Sequence, residues 1–190
     1  SLGSSETTLL RLTAAYGMLV NGGLQIKPTL IDRIQDRQGR TVFQHDQRRC
    51  RPCRQTAWTQ QTVPQVPDIR QRVANPASAY QITSMLQGVV ERGTGRRIKK
   101  IGKPLGGKTG TTNDSRDAWF VGFSPDMALG VYTGFDNPRS LGRLEQGASV
   151  AVPIFKDFMA EALEGKPEIP FRIPPGIRLV RVNATTGKPA

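Results

Sequence analysis

The chain has one histidine, His45, and two cysteines, Cys50 and Cys53, in 190 residues. A zinc site takes about four ligands, so a complete protein-bound zinc centre is not expected. His45 lies in an irregular segment with no motif around it, which leaves Ser-His-Asp catalysis poorly supported. The Cys-Arg-Pro-Cys pair sits among Pro, Arg and Gln rather than between a strand and a helix, where a thioredoxin-like redox motif belongs. A structural disulfide and two free thiols both stay open, the disulfide being favoured in an oxidising compartment. No apolar run approaches the ~18 residues of a membrane span. The chain opens Ser1-Leu2-Gly3 with neither an initiator methionine nor a signal peptide, so it reads as cut from within a longer polypeptide.

Acidic residues are also scarce. Lys and Arg total 27 against 15 Asp and Glu, for a formal charge of +12. Such a balance points to an anionic neighbourhood. The cations are spread over Arg33 to Arg40, Arg48 to Arg51 and Arg92 to Lys103, with no helical stripe. No helix-turn-helix, zinc-finger or RNA-binding signature accompanies them, so nucleic acid is not expected as a partner. An anionic membrane or cell-wall surface accounts for the charge as well. A non-catalytic basic module that binds anionic glycan or nucleic acid is the alternative reading, and it rests on charge alone.

What is present organises as α+β. Thr8 can cap a helix over Leu9 to Leu19 that Asn21-Gly22-Gly23 stops. Thr29 to Ile34 and Thr41 to Phe43, around Asp36-Arg37-Gln38-Gly39, read as a hairpin. Residues 44–72, with Pro52, Pro64 and Pro67, read as a loop or insertion. Asn75-Pro76 opens a helix on which Ala77, Tyr80, Met85, Leu86 and Val89 recur at helical spacing, Met85 and Tyr80 being read as core. Three apolar or threonine-rich runs follow, Lys108–Thr112, Ala118–Phe123 and Ala128–Phe135, and predict an antiparallel meander. Trp119 and Phe120 read as core of the second run. Pro153 opens a last helix that ends at Gly165, and the tail from Pro170 is extended. Residues 1–165 are taken as one unit and 166–190 as its tail.

The chemistry concentrates in Gly106-Gly-Lys-Thr-Gly-Thr-Thr-Asn113. Threonine favours strands and carries a hydroxyl that donates or accepts. Glycine lets another backbone come close. Lysine adds a cation that can hold a carboxylate or lower a neighbour's pKa. The set suits an extended peptide lying along a strand edge with its carboxylate held. Alternation places Lys108 and Gly110 on one face and Thr109 and Thr111 on the other. Gly102 to Thr109 also fits the Gly-x-x-x-x-Gly-Lys-Thr phosphate loop, but that loop opens a helix, and here β-formers follow.

Together with its continuation, Asp-Ser-Arg-Asp-Ala-Trp-Phe-Val-Gly-Phe, this stretch resembles the Lys-Thr-Gly box of serine penicillin-recognising enzymes. It is most similar to that of class A (bifunctional) penicillin-binding proteins. The helix starting near Thr8, Ala77–Gly95, Gly130–Gly142 and Val152–Leu163 resemble further segments of that family, whereas residues 44–72 do not. The resemblance implies a penicillin-binding/serine β-lactamase-like fold, an antiparallel sheet with helices on both faces. It implies a D-alanyl-D-alanine transpeptidase that cross-links peptidoglycan, needs no cofactor or metal, binds stem peptides and β-lactams, and works at the periplasmic face of the inner membrane beside a glycosyltransferase domain. A β-lactamase-like β-lactam-binding protein is the alternative within the superfamily. By the same resemblance, Lys108 and Thr111 are catalytic, and Thr109, Gly110, Thr111, Thr112 and Asn113 bind substrate. The family's nucleophile lies in Ser-x-x-Lys and its proton-handling serine in Ser-x-Asn. None of the serines at 1, 4, 5, 78, 84, 115, 124, 140 and 149 has either pattern. The chain is therefore expected to be the C-terminal half of a transpeptidase domain, inactive alone, with a sheet edge that needs the N-terminal half.

Overall fold

The computed structural model describes residues 6–48, 50, 53, 57, 60, 62–183 and 185–189. Helix α1 is Leu9–Val20, and the Thr8 hydroxyl accepts from the Arg11 N–H, as the cap predicts. Asn21, Gly22 and Gly23 end it, both glycines at positive φ. At Gly23 a Cβ would lie 2.3 Å from the Ala74 carbonyl oxygen, so only glycine allows the chain entering the second helix to pass there. Strands β1 (Arg33–Gln35) and β2 (Thr41–Gln44) form the predicted antiparallel hairpin, with its first strand shorter than expected. All their residues are exposed. Cys50 and Cys53 are joined by a disulfide, which decides between the two alternatives.

Helix α2 is Pro76–Arg92, and the Asn75 carboxamide accepts from the N–H groups of Ala77 and Ser78. The face it buries differs from the expectation. Ala79, Thr83, Gly88 and Val90 are inside, Tyr80 is half-buried, and Met85 is 67% exposed. The reason is close packing: a Cβ on Gly106 would reach the Gln87 backbone nitrogen at 3.1 Å. A helix that near a strand needs small residues on its inner face, and the longer side chains turn outward.

A 3₁₀ helix, Arg96–Ile101, leads to strand β3 (Gly106–Thr111), followed by β4 (Asp117–Phe123) and β5 (Ala128–Gly134). They pair antiparallel in the order β3-β4-β5, the predicted meander. Among the described residues β3 is an edge strand. A π-helical turn, Gly147–Ala151, that the sequence did not predict, runs into helix α3 (Val152–Ala162).

Helices cover both faces of the sheet, in agreement with the α+β reading. On one face, Phe123 meets Tyr16 of α1, and a Cβ on Gly130 would strike Thr13. On the other, Phe120 packs edge-on against Phe155 of α3, ring centroids 4.7 Å apart. This second face holds the main core: Val90, Ile98, Leu105, Phe120, Val131, Val152, Phe155, Met159 and Leu163. Phe171, in the otherwise extended tail, is buried against Phe123.

Candidate active site

Strand β3 is built from residues that could not be larger at its start. A Cβ on Gly107 would lie 2.6 Å from the Phe120 ring and 2.7 Å from the Val121 carbonyl oxygen. Gly106 is crowded in the same way by Phe123. These glycines seat the strand against β4 and fix where Lys108 begins. Lys108 opens no helix, which excludes the phosphate-loop geometry.

The register sets what each following residue presents. Lys108 pairs with Val121, Thr109 with Phe120, Gly110 with Trp119 and Thr111 with Ala118. Lys108 and Gly110 therefore share the face of α1, and Thr109 and Thr111 that of α3, as alternation predicts. The Thr112 N–H donates to the Asp117 carbonyl at 3.1 Å, which makes that opposed pair a hydrogen-bonded one. In an antiparallel ladder such pairs alternate. The main-chain N–H and C=O of Thr109 and Thr111 consequently point away from β4, to the outer edge. The Lys108 ammonium bends round to that edge and donates to the Thr109 carbonyl at 2.8 Å.

Both threonine hydroxyls are held. Thr109 Oγ1 lies 3.1 Å from Thr94 Oγ1. Thr111 Oγ1 accepts from the Gly147 N–H at 3.1 Å, so its own proton stays available for a ligand. Gly147 can come so near because it lacks a side chain: a Cβ there would lie 2.5 Å from the Trp119 carbonyl oxygen. Beyond Thr111 the strand stops. Thr112 Oγ1 accepts from the Asp117 N–H at 2.8 Å and closes the β3–β4 connection. Asn113 begins a 3₁₀ turn, Asn113–Ser115, in which Asp114 and Ser115 adopt positive φ of 59° and 49°. Non-glycine residues there carry strain of about 1–3 kcal/mol each, a feature concentrated at ligand sites. The Leu141 N–H pins this turn through the Ser115 carbonyl.

On the Gly110 face, Trp119 is half-buried rather than core, which corrects the expectation for it, while Phe120 is fully buried. Trp119 packs against Tyr132 with the rings tilted and their centroids 4.6 Å apart. Tyr132 donates to Asp117 at 2.8 Å, and that hydrogen bond to a carboxylate holds its phenol pKa above the ordinary value.

Lys108, Thr109, Gly110 and Thr111 thus lie together on one strand, with Thr112 and Asn113 at its closing turn. Sequence reasoning missed Thr94 and Gly147. Thr94 carried a faint signal, the Gly93-Thr94-Gly95 triplet at the end of a helix; Gly147 carried none. Among the described residues no group of three or more His, Cys, Asp and Glu is placed to hold a metal, and no helix is long and apolar enough to cross a membrane. A cavity of about 660 Å³, lined by Lys27, Asp32, His45, Asp46, Arg48 and Arg70 among others, shares no residue with β3.

The family model for the penicillin binding protein transpeptidase domain matches residues 1–160. The chain is 46% identical over 189 residues to penicillin-binding protein 1A of Rickettsia conorii, covering 98% of this chain and 24% of that protein. It is 40% identical over 178 residues to penicillin-binding protein 1A of Neisseria meningitidis, covering 93% of this chain and 20% of that one. The crystal structure of penicillin-binding protein 1A from Haemophilus influenzae superposes with a TM-score of 0.80 at 30% identity, covering 100% of this chain and 31% of that one. The chain therefore spans about a quarter of the length of the curated relatives it matches. With the family model covering most of its length, and with Lys-Thr-Gly-Thr on an edge strand between two helical layers, this chain belongs to the penicillin-binding protein transpeptidase domain family.

Proposed function

We propose that this chain forms the substrate-side wall of a serine-type D-alanyl-D-alanine transpeptidase site whose nucleophile comes from another segment of the same polypeptide. The observation that carries the reading is the convergence on the outer edge of β3. The Thr111 N–H and the Lys108 ammonium present there, and the Thr109 and Thr111 hydroxyls lie on the flanking α3 face of the same strand. An extended stem peptide fits such an edge as an added strand. The two hydroxyls donate to its terminal carboxylate, and Gly110 leaves room for its backbone.

The chemistry then follows from the donors. A serine oxygen attacks the penultimate D-Ala carbonyl carbon, and the carbonyl oxygen gains negative charge. The Thr111 N–H, aimed outward and rigid in the ladder, stabilises that charge together with the nucleophile's own N–H. The C–N bond to the last D-Ala breaks, and that D-Ala leaves with a proton. The amine of a neighbouring strand attacks the acyl-serine, releases the serine and makes the cross-link. Lys108 adds positive potential beside the proton-handling groups. Thr112 and Asn113 bound the far end of the bound peptide through the β3–β4 turn. A β-lactam acylates the same serine and uses the same carboxylate contacts. The +12 charge suits a protein at an anionic surface, and the reading places it at the periplasmic face of the inner membrane.

The test is the second-order rate of acylation by a fluorescent penicillin in the full-length protein. Hydrogen bonds to a charged group contribute about 1.5–3 kcal/mol. Thr111→Val and Thr109→Val are each expected to slow acylation about 10- to 100-fold. Wild-type rates in both variants would overturn the reading.

A further inference from the structure

We propose that Thr94 is a positioning residue for this site, acting through Thr109; the proposal rests on the transpeptidase reading of β3. Thr94 is 15 residues from Thr109 in sequence, yet their hydroxyl oxygens stand 3.1 Å apart. The approach is built in. After α2 ends, the N–H groups of Gly93 and Gly95 both donate to the Val89 carbonyl, at 3.1 and 3.0 Å. The triplet is thereby folded back on the last turn of the helix. A Cβ on Gly93 would lie 3.0 Å from both the Val89 Cα and its carbonyl oxygen, and one on Gly95 3.3 Å from that oxygen. On the far side, Ile98 is fully buried in the core beneath α3. Thr94 is therefore pinned on both sides and exposed at its tip, where it meets the site strand.

The consequence concerns how the Thr109 hydroxyl is aimed. A free threonine hydroxyl rotates, and that freedom is lost when it binds a carboxylate. With Thr94 accepting or donating at 3.1 Å, Thr109 Oγ1 is held in one rotamer before any ligand arrives. When a carboxylate docks, Thr109 donates to it, and Thr94 donates to Thr109 Oγ1. The proton count is consistent, because each hydroxyl has one proton and two acceptor positions. A relay of this kind strengthens the terminal donor. Gly147 has the matching part for Thr111, by a backbone N–H rather than a side chain. Only the Thr94 half of this arrangement can be removed without touching the main chain.

The experiment uses the full-length protein and three substitutions, Thr94→Val, Thr94→Ser and Thr109→Val, with acylation by a fluorescent penicillin followed over a range of concentrations. Thr94→Val keeps the side-chain shape and removes the hydroxyl. It is expected to raise the half-saturating penicillin concentration about fivefold and to leave the limiting acylation rate within about twofold, the size of one neutral hydrogen bond. Thr94→Ser restores the wild-type concentration. The double variant Thr94→Val, Thr109→Val behaves as Thr109→Val alone, because Thr94 has nothing left to aim. The proposal is overturned if Thr94→Val matches the wild type, if Thr94→Ser is as impaired as Thr94→Val, or if the two effects multiply in the double variant. If the wild-type protein itself takes no penicillin, the transpeptidase reading fails first and takes this proposal with it.

Discussion

Replacing Gly147 with alanine tests whether the π-helical turn is a working part of the site. Gly147 does not need glycine for conformation, since its φ lies outside the left-handed range. It needs glycine for space. The added Cβ would stand 2.5 Å from the Trp119 carbonyl oxygen, 2.7 Å from the Gly110 carbonyl oxygen and 3.2 Å from the Gly110 nitrogen. All three atoms belong to the paired backbones of β3 and β4, so no side chain can swing aside. The turn must lift away, and overpacking of this kind costs about 1–3 kcal/mol. Lifting it also breaks the 3.1 Å bond from the Gly147 N–H to Thr111 Oγ1, worth roughly 0.5–1.5 kcal/mol. The sum is about 1.5–4.5 kcal/mol of lost stability, measured by urea unfolding, with slower penicillin acylation beside it. Gly165→Ala is the comparison: its φ of +68° makes alanine strained, but nothing lies within 4 Å of the new Cβ. That change is expected to cost about 1 kcal/mol and leave acylation alone. If Gly147→Ala unfolds and acylates like the wild type, the turn does not orient Thr111.

Two further predictions address the core and the basic cavity. Phe155→Ala is expected to lose about 3–5 kcal/mol in urea unfolding, since Phe155 is fully buried against Phe120. Met85→Ala should stay within about 0.5 kcal/mol, and a loss comparable to that of Phe155 would return Met85 to the core. In the cavity, the Arg48 guanidinium hydrogen-bonded to Asp46 pushes that carboxyl down to about 2. A depressed carboxylate pKa contributes stability that is full above the ordinary value near 3.9 and is lost as pH falls through about 2. Carboxyl-detected NMR should show Asp46 titrating there and returning toward the ordinary range in Arg48→Ala; a titration near 4 in both proteins would remove the ion pair from the account.

Elements that are set locally could be read from the residues. Thr8, Asn75-Pro76 and Asn21-Gly22-Gly23 are caps and stops whose chemistry acts within a few residues, and the helices begin and end there. Alternation along β3 also held, because the period of a strand is fixed by its pleat. Which face of α2 goes inside could not be read from its period alone. Two apolar faces compete on that helix, and the nearness of β3 decides for Ala79, Thr83 and Gly88 over Met85. Trp119 was misplaced for a related reason. Its strand is buried at Val121 and Phe123, the latter under Tyr16 and Phe171, whereas the ring beside Trp119 is Tyr132, itself exposed. The contacts that hold the two threonine hydroxyls were illegible as well. They join residues 15 and 36 positions apart, through a glycine-flanked loop and a π-helical turn. Lys108 to Gly110 could be singled out as candidates because a family motif marks them; Thr94 and Gly147, which contact this strand, lie outside that motif.

The central claim is that Lys108, Thr109 and Thr111 hold and polarise the substrate while another segment attacks it. The direct measurement is peptide mapping of the penicillin adduct in the full-length protein by mass spectrometry. The account predicts a single acylated serine outside residues 1–190, and no adduct when this chain is treated alone. An adduct on any serine or threonine within the chain would contradict it.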